Sequence, residues 1–289
     1  MHFAAIPTLP QIMDDSRGAE SYPFTKTFAE AQDEVALIIH SSGTTGMPKP
    51  VPFTHGYISV FDSGINIEHP KDRRLTMFYD LAPSKHMLYT TPFFHLMGFI
   101  AFTASIFHHI PFVICPDKPL SVELLTGTIQ STKPAAALLP PSMVEEMSHS
   151  EAATSALHSL DYLYFAGAPL APEVGNRLSD YIKLVSIMGS SEAGVIISLV
   201  PEGEGNWGYF EWNPAYGVDM QDRGEGLYEM VIPRKADSRK IHGIFHSHPH
   251  LNEYHTNDLF VQHPSNPKLW KYHGRYDDVI VLSNGEKLT

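Results

Sequence analysis

Cysteine is nearly absent. A single thiol, Cys115, in 289 residues excludes an intramolecular disulfide framework and any cysteine-based zinc cage. Basic charge is scarce too: 20 Lys and Arg stand against 32 Asp and Glu, a formal net charge of −12 with neutral histidines. Such a surface repels nucleic acid and anionic membrane, so neither is expected as a partner. Unbroken apolar length is also missing. The one membrane-like stretch, Leu96 to Cys115, is interrupted by His108, His109 and Pro111, whereas a span needs about 20 predominantly apolar residues. It reads as a buried helix, a turn and a buried strand. Met1–Pro10 has no basic, apolar leader, so the default expectation is a soluble, cytoplasmic protein.

What is present is a globular composition, 43% hydrophobic and 18% charged, long enough to bury a core without a covalent staple. Residues 1–34 read as a loose lead-in. Val35–His40 is an apolar run suited to a strand buried on both faces. Strand and helix then alternate through Phe112–Cys115, Val122–Gln130, Ala135–Leu139, Met143–Ser148, Tyr162–Ala166 and Lys183–Met188. Between the last two strands, Leu170, Val174, Leu178 and Ile182 recur every fourth residue and predict an amphipathic helix. This alternation implies a parallel sheet covered by helices. After about Pro201, glycines punctuate short alternating runs such as Leu227–Pro233. The expected fold is therefore α/β, with a core over 35–200, a β-rich subdomain over 201–272, and a terminal segment over 273–289.

The most informative string is Ser41-Ser42-Gly43-Thr44-Thr45-Gly46-Met47-Pro48-Lys49. Its glycines admit backbone conformations closed to other residues. Its four hydroxyls and free N–H groups could wrap phosphate oxygens, with Lys49 as a point charge. It lacks the G-x-x-x-x-G-K-[ST] spacing of a Walker loop. Taken alone, it also reads as a polar surface turn.

Six ordered motifs give the string its meaning. Ser41–Lys49 resembles the phosphate loop of the adenylate-forming (AMP-binding) superfamily. Thr91–Gly98 resembles that family's aromatic segment at the acyl pocket, and Phe165–Leu170 its glycine turn beside adenine. Met188–Ala193 resembles the [YF]-G-x-[ST]-E element, Tyr254–Leu259 the Y-x-T-G-D-L motif, and Gly274–Asp278 the G-R-x-D-D hinge. The resemblance covers roughly residues 35–289 and is strongest to the adenylation domains of fungal carboxylate reductases related to nonribosomal peptide synthetases. It implies an incomplete large domain of that family and ATP-dependent conversion of a carboxylic acid to an acyl-adenylate, followed by transfer to phosphopantetheine on a carrier or to CoA.

The same resemblance implies roles for individual residues. Ser41, Ser42, Gly43, Thr44, Thr45, Gly46 and Lys49 would hold the phosphates of ATP, and Glu192 would hold Mg2+. Ser191 would reach the α-phosphate with its hydroxyl, and Met188, Gly189 and Ser190 beside it would also line the nucleotide site. Gly167, Ala168 and Pro169 would border adenine. Asp258 and Arg275 would hold ribose or phosphate, and Asp277 would be the hinge of a C-terminal lid. His95 would orient a carboxylate or touch AMP, the alternative being a packed core histidine. Phe94-His95-Leu96-Met97 lacks the aspartate that pairs with an α-ammonium, which argues against an α-amino acid substrate. Met188 replaces the usual aromatic residue. Asn257 replaces the usual glycine, a mild change because Asn tolerates left-handed backbone.

Two other readings stand beside this one. The lid and its lysine are expected to be missing, which would leave a catalytically impaired or purely nucleotide-binding fragment. His246-Ser247-His248-Pro249 resembles the H-S-H-P of zinc isopeptidases, where two histidines on a strand share a metal. The alternative there is that histidines 242, 246, 248, 250 and 255 lie along an exposed β surface.

Overall fold

Two six-stranded sheets dominate the chain, one largely parallel and one antiparallel. The computed structural model describes residues 8–14, 18, 23–41, 49–78, 81, 85–116 and 118–276, with the backbone of Ile280–Val281 and Lys287–Leu288. The lead-in contributes the single-turn helices Leu9–Ile12 and Phe28–Ala31. A two-stranded antiparallel ladder follows, made of β1 (Val35–Ser41) and β2 (Lys49–Thr54).

The first sheet is built from β3 (Met87–Tyr89), β4 (Phe112–Ile114), β5 (Ala136–Leu139), β6 (Tyr162–Ala166), β7 (Lys183–Ser190) and β8 (Gly194–Ile196). Its order is β4-β3-β5-β6-β7-β8, parallel throughout except for the β7–β8 hairpin. Successive side chains leave a strand on opposite faces, and both faces here are apolar. Leu88, Ala137, Leu139, Leu163 and Phe165 pack on one side. Tyr89, Ala136, Leu138 and Tyr164 pack on the other. Helices Val122–Thr132, Pro141–Met147, Glu151–His158 and Pro172–Ser179 cover the first face. Helices His55–Ser63 and Leu96–His108 cover the second, together with the second sheet.

That second sheet comprises β9 (Ser198–Leu199), β10 (Phe210–Trp212), β11 (Asp219–Asp222), β12 (Leu227–Pro233), β13 (Glu253–Gln262) and β14 (Leu269–Arg275). Its order is β11-β12-β13-β14-β10-β9. Phe210, Met230, Ile232, Phe260 and Trp270 carry its inner face into the same core as Tyr89 and Tyr164.

Three expectations need correction. Val35–His40 is not a strand buried on both faces: among the described residues β1 pairs only with β2, and Val35 and Ile38 are 53% and 56% exposed, while Ile39 alone in the run is fully buried. The strand after the membrane-like stretch is not buried either. β4 is a sheet edge, with Ile114 60% exposed. Finally, the histidines of 242–255 do not line an exposed β surface. His242 and His246 are buried among short helices, and of the set only His250 and His255 are exposed.

Candidate functional site

In a parallel sheet the loops after the strands emerge along one edge, which is where α/β folds bind ligands. Three motifs follow strands of this sheet. Thr91–Gly98 follows β3, Gly167–Pro169 follows β6, and Ser190–Glu192 closes the β7–β8 turn. Gly167 is left-handed at φ 88°, a conformation that favours glycine, and Gly167, Ala168 and Pro169 are all exposed.

His95 is neither buried nor packed in a core. It caps the helix Leu96–His108, its Nδ1 accepting the Met97 N–H at 3.3 Å. A ring nitrogen that accepts carries no proton in the neutral form, so Nε2 is the donor and is directed elsewhere. Gly98 lets this helix start against its own loop: a Cβ there would lie 2.1 Å from the Pro92 carbonyl oxygen.

The β7–β8 turn is held from three directions. Ser190 Oγ accepts the Ala193 N–H at 3.1 Å. A Cβ at Gly189 would come within 2.5 Å of the Gly194 oxygen, so the hairpin closes tightly there. From the helix His55–Ser63, the Tyr57 hydroxyl donates to the Ser191 carbonyl at 2.8 Å. Tyr57 is fully buried and stacks on Phe53 of β2 at 4.0 Å. Burial first, then the neighbouring Tyr216, the Glu192 carboxylate and Tyr254, raise its hydroxyl well above the ordinary phenol range. Ser191 and Glu192 themselves stay partly open to solvent, and Met188 is half-buried against the core.

Across from this turn, β13 and β14 present the other two motifs. Asp258 and Arg275 are register partners, with Arg275 Nη1 3.8 Å from Asp258 Oδ1. Tyr254 joins the two groups. Burial raises its phenol, the Glu192 carboxylate adds to this, a hydrogen bond with Ser190 opposes it, and the charges of Asp258 and Arg275 act in opposite directions. One phenol thus senses Ser190 and Glu192 from the first sheet and Asp258 and Arg275 from the second. No role was read from the sequence for Tyr57 or Tyr254. Tyr254 lies inside a recognised motif, whereas Tyr57 has only its place just after the phosphate loop.

Ser41 and Lys49 are register partners at the open end of the β1–β2 ladder. Ser42, Gly43, Thr44, Thr45 and Gly46 lie outside the described residues, as does Asp277. The donor set at the turn is a single carboxylate, Glu192, with hydroxyls beside it. That suits Mg2+, which keeps several waters and takes one or two carboxylates plus substrate phosphates. Among the described residues no group of three or more His, Cys, Asp or Glu side chains gathers to hold a metal by itself.

The zinc reading fails on hydrogen bonding. His246 Nε2 meets the Arg239 carbonyl at 2.7 Å and Nδ1 meets Arg239 Nη2 at 2.9 Å, so both ring nitrogens are occupied. His246 closes a helical turn, Ile244–Ser247, and His248 follows it, so the pair does not share a strand face. Among the described residues no helix is long and apolar enough to cross a membrane.

Comparison with known proteins bears on the family and the fold. The family model for AMP-binding enzymes matches residues 7–215. A carboxylic acid reductase of Neurospora crassa is 33% identical over 275 residues, which are 93% of this chain and 26% of the relative. The adenylate-forming reductase Nps11 of Serpula lacrymans is 32% identical over 88% of this chain and 24% of its own length. The chain therefore spans about a quarter of these curated relatives. Among solved structures, ATP-bound MatB from Rhodopseudomonas palustris shares the fold at a TM-score of 0.70 and 16% identity, over 96% of this chain and 55% of that one.

Proposed function

The chain belongs to the AMP-binding enzyme family, and on that premise we propose that it activates a carboxylic acid with ATP, giving an acyl-adenylate and pyrophosphate. The observation that supports this most is the convergence on Tyr254 of Ser190 and Glu192 from one sheet and Asp258 and Arg275 from the other. In this reading Asp258 accepts the ribose hydroxyls, since a carboxylate offers two acceptor oxygens. Arg275 lies beside it for ribose or phosphate. Gly167, Ala168 and Pro169 leave an open, side-chain-poor surface for adenine. Lys49 and the loop from Ser41 to Gly46 hold the departing phosphates.

The substrate carboxylate oxygen attacks the α-phosphorus as the bond to pyrophosphate breaks. Nothing covalent is asked of the protein, so its contribution is positioning and charge neutralisation. Glu192, with the phosphates, would hold Mg2+, and the ion would supply part of that neutralisation. Ser191 turns a hydroxyl toward the α-phosphate. His95 donates from Nε2 to the carboxylate or to AMP. No acidic side chain in Thr91–Gly98 matches an α-ammonium, so the substrate is an aryl, keto or aliphatic acid. The thiol of phosphopantetheine or CoA then attacks the acyl carbonyl, and AMP leaves as the thioester forms.

Thermal protection tests the substrate class. With ATP and Mg2+ present, aryl or aliphatic acids should raise the melting temperature and α-amino acids should not. Protection by an amino acid, and by none of its deaminated analogues, would overturn this assignment.

A further inference from the structure

We infer that Glu229, outside every recognised motif, is a positioning residue that sets the nucleotide-facing carboxylate of Asp258 by capping a bulge in β13. The inference rests on the adenylation reading of Asp258.

The β12–β13 ladder is regular at Glu229↔Leu259 and again at Val231↔His255. Between those pairs, Met230 alone faces Thr256, Asn257 and Asp258. Such an insertion bends the strand and frees backbone groups from the ladder. Two of the N–H groups in the bulge are taken by side chains. The Asp258 N–H donates to Thr256 Oγ1 at 3.1 Å, and that hydroxyl donates to the Met230 carbonyl at 2.8 Å. The Asn257 N–H donates to Glu229 Oε1 at 3.2 Å. Asn257 itself is left-handed, with φ 61°, a conformation with a steric cost for any residue that has a Cβ.

Glu229 is only 4% exposed, an unusual place for a carboxylate without partners. Its partners are Arg223, whose Nε donates at 2.8 Å, and His255, whose Nδ1 lies 3.3 Å away. Burial pushes the Glu229 carboxyl up, but the hydrogen bonds from Arg223, His255 and the Asn257 N–H more than reverse this, and the group is held below its ordinary range. Glu229 is therefore a fixed anion: Arg223 holds Oε2, and Oε1, beside His255, lies where the bulge needs an acceptor. The last residue of the bulge is Asp258, register partner of Arg275. A one-residue slip here would turn Asp258 to the opposite face of the sheet.

The test measures ATP affinity by calorimetry on the full chain, well below its melting temperature. Glu229→Ala should weaken binding at least tenfold, approaching Asp258→Ala, whereas Glu229→Gln, which keeps an acceptor for Asn257, should cost about threefold. Asn257→Gly accepts the left-handed backbone without strain, so in that background Glu229→Ala should cost less than threefold. Unchanged affinity on Glu229→Ala, with only the melting temperature lowered, would overturn the inference. An equal loss with and without Asn257→Gly would overturn it as well. If the unaltered chain bound no ATP, the adenylation reading would fall, and amide exchange over residues 256–259 would then decide the bulge. Glu229→Ala should abolish protection at Asn257, and retained protection there would refute the cap.

Discussion

His242 shows what a single buried side chain can do to the pH response of this fold. Its Nε2 donates to the Tyr216 carbonyl at 2.8 Å, and the residue has no exposed surface. Burial lowers its pKa from the usual 6.5 to about 4, an effect the Tyr216 carbonyl only partly opposes. The unfolded chain takes up a proton at about pH 6.5 while the folded chain resists until about pH 4. Its contribution is therefore complete above the unfolded value and falls as pH drops through this window, by about 3 kcal/mol in all. Denaturant titrations from pH 7.5 to 4 should show this loss, and His242→Gln, which keeps a donor for Tyr216, should remove that share of it. An identical pH slope in the variant would show that His242 is protonated in the fold. Neither the burial of His242 nor that of His246 was readable from composition. Histidine is intermediate in burial propensity, and local spacing does not tell a helical turn from a strand end.

At the scale of elements, legibility followed local pattern. The helix Pro172–Ser179 was predictable because Leu170, Val174, Leu178 and Ile182 recur every fourth residue; Val174 and Leu178 lie within it, the other two flank it, and all four are buried. The apolar run of β1 carried no information on which side would be covered, and only its pairing with β2 decides that. β2 contains Pro50 and Pro52, which cannot donate to a ladder and hide a strand from sequence reading. They are tolerated because, among the described residues, β2 pairs on one edge only. The helix Glu151–His158 buries Ala153, Ala156 and Leu157, too small an apolar stripe to stand out. An element-level prediction concerns the link from β2 through the helix His55–Ser63 to the β7–β8 turn. Tyr57→Phe keeps the stack on Phe53 but leaves the Ser191 carbonyl unpaired, which costs about 1–2 kcal/mol. Because that bond holds the turn carrying Glu192, the variant should also need several-fold more Mg2+ for half-maximal ATP binding. A loss of stability with no change in Mg2+ requirement would separate Tyr57 from the site.

For the whole molecule, the segment ahead of β3 is tied to the second sheet. Arg73 grips Glu211 of β10 with two hydrogen bonds, at 2.8 and 2.6 Å, and reaches the Val200 carbonyl at 2.9 Å. Nearby, the Thr76 N–H donates to the Ser198 carbonyl of β9 at 2.9 Å. The order of the motifs was legible in the sequence, and so were Glu192, Asp258 and Arg275 as individual candidates. The groups that bring them together were not, because they join distant parts of the chain: Tyr57 and Ser191 are 134 positions apart. The central claim is that residues of both sheets serve one nucleotide. It is tested most directly by calorimetric titration of ATP into the full chain, with and without Mg2+, for the unaltered protein, Glu192→Gln and Asp258→Ala. Asp258→Ala should lose about 1–3 kcal/mol of binding in both conditions, the cost of unpaired hydrogen-bonding groups. Glu192→Gln should lose affinity chiefly when Mg2+ is present. Full affinity in both variants, or Mg2+ dependence untouched by Glu192→Gln, would contradict a shared site.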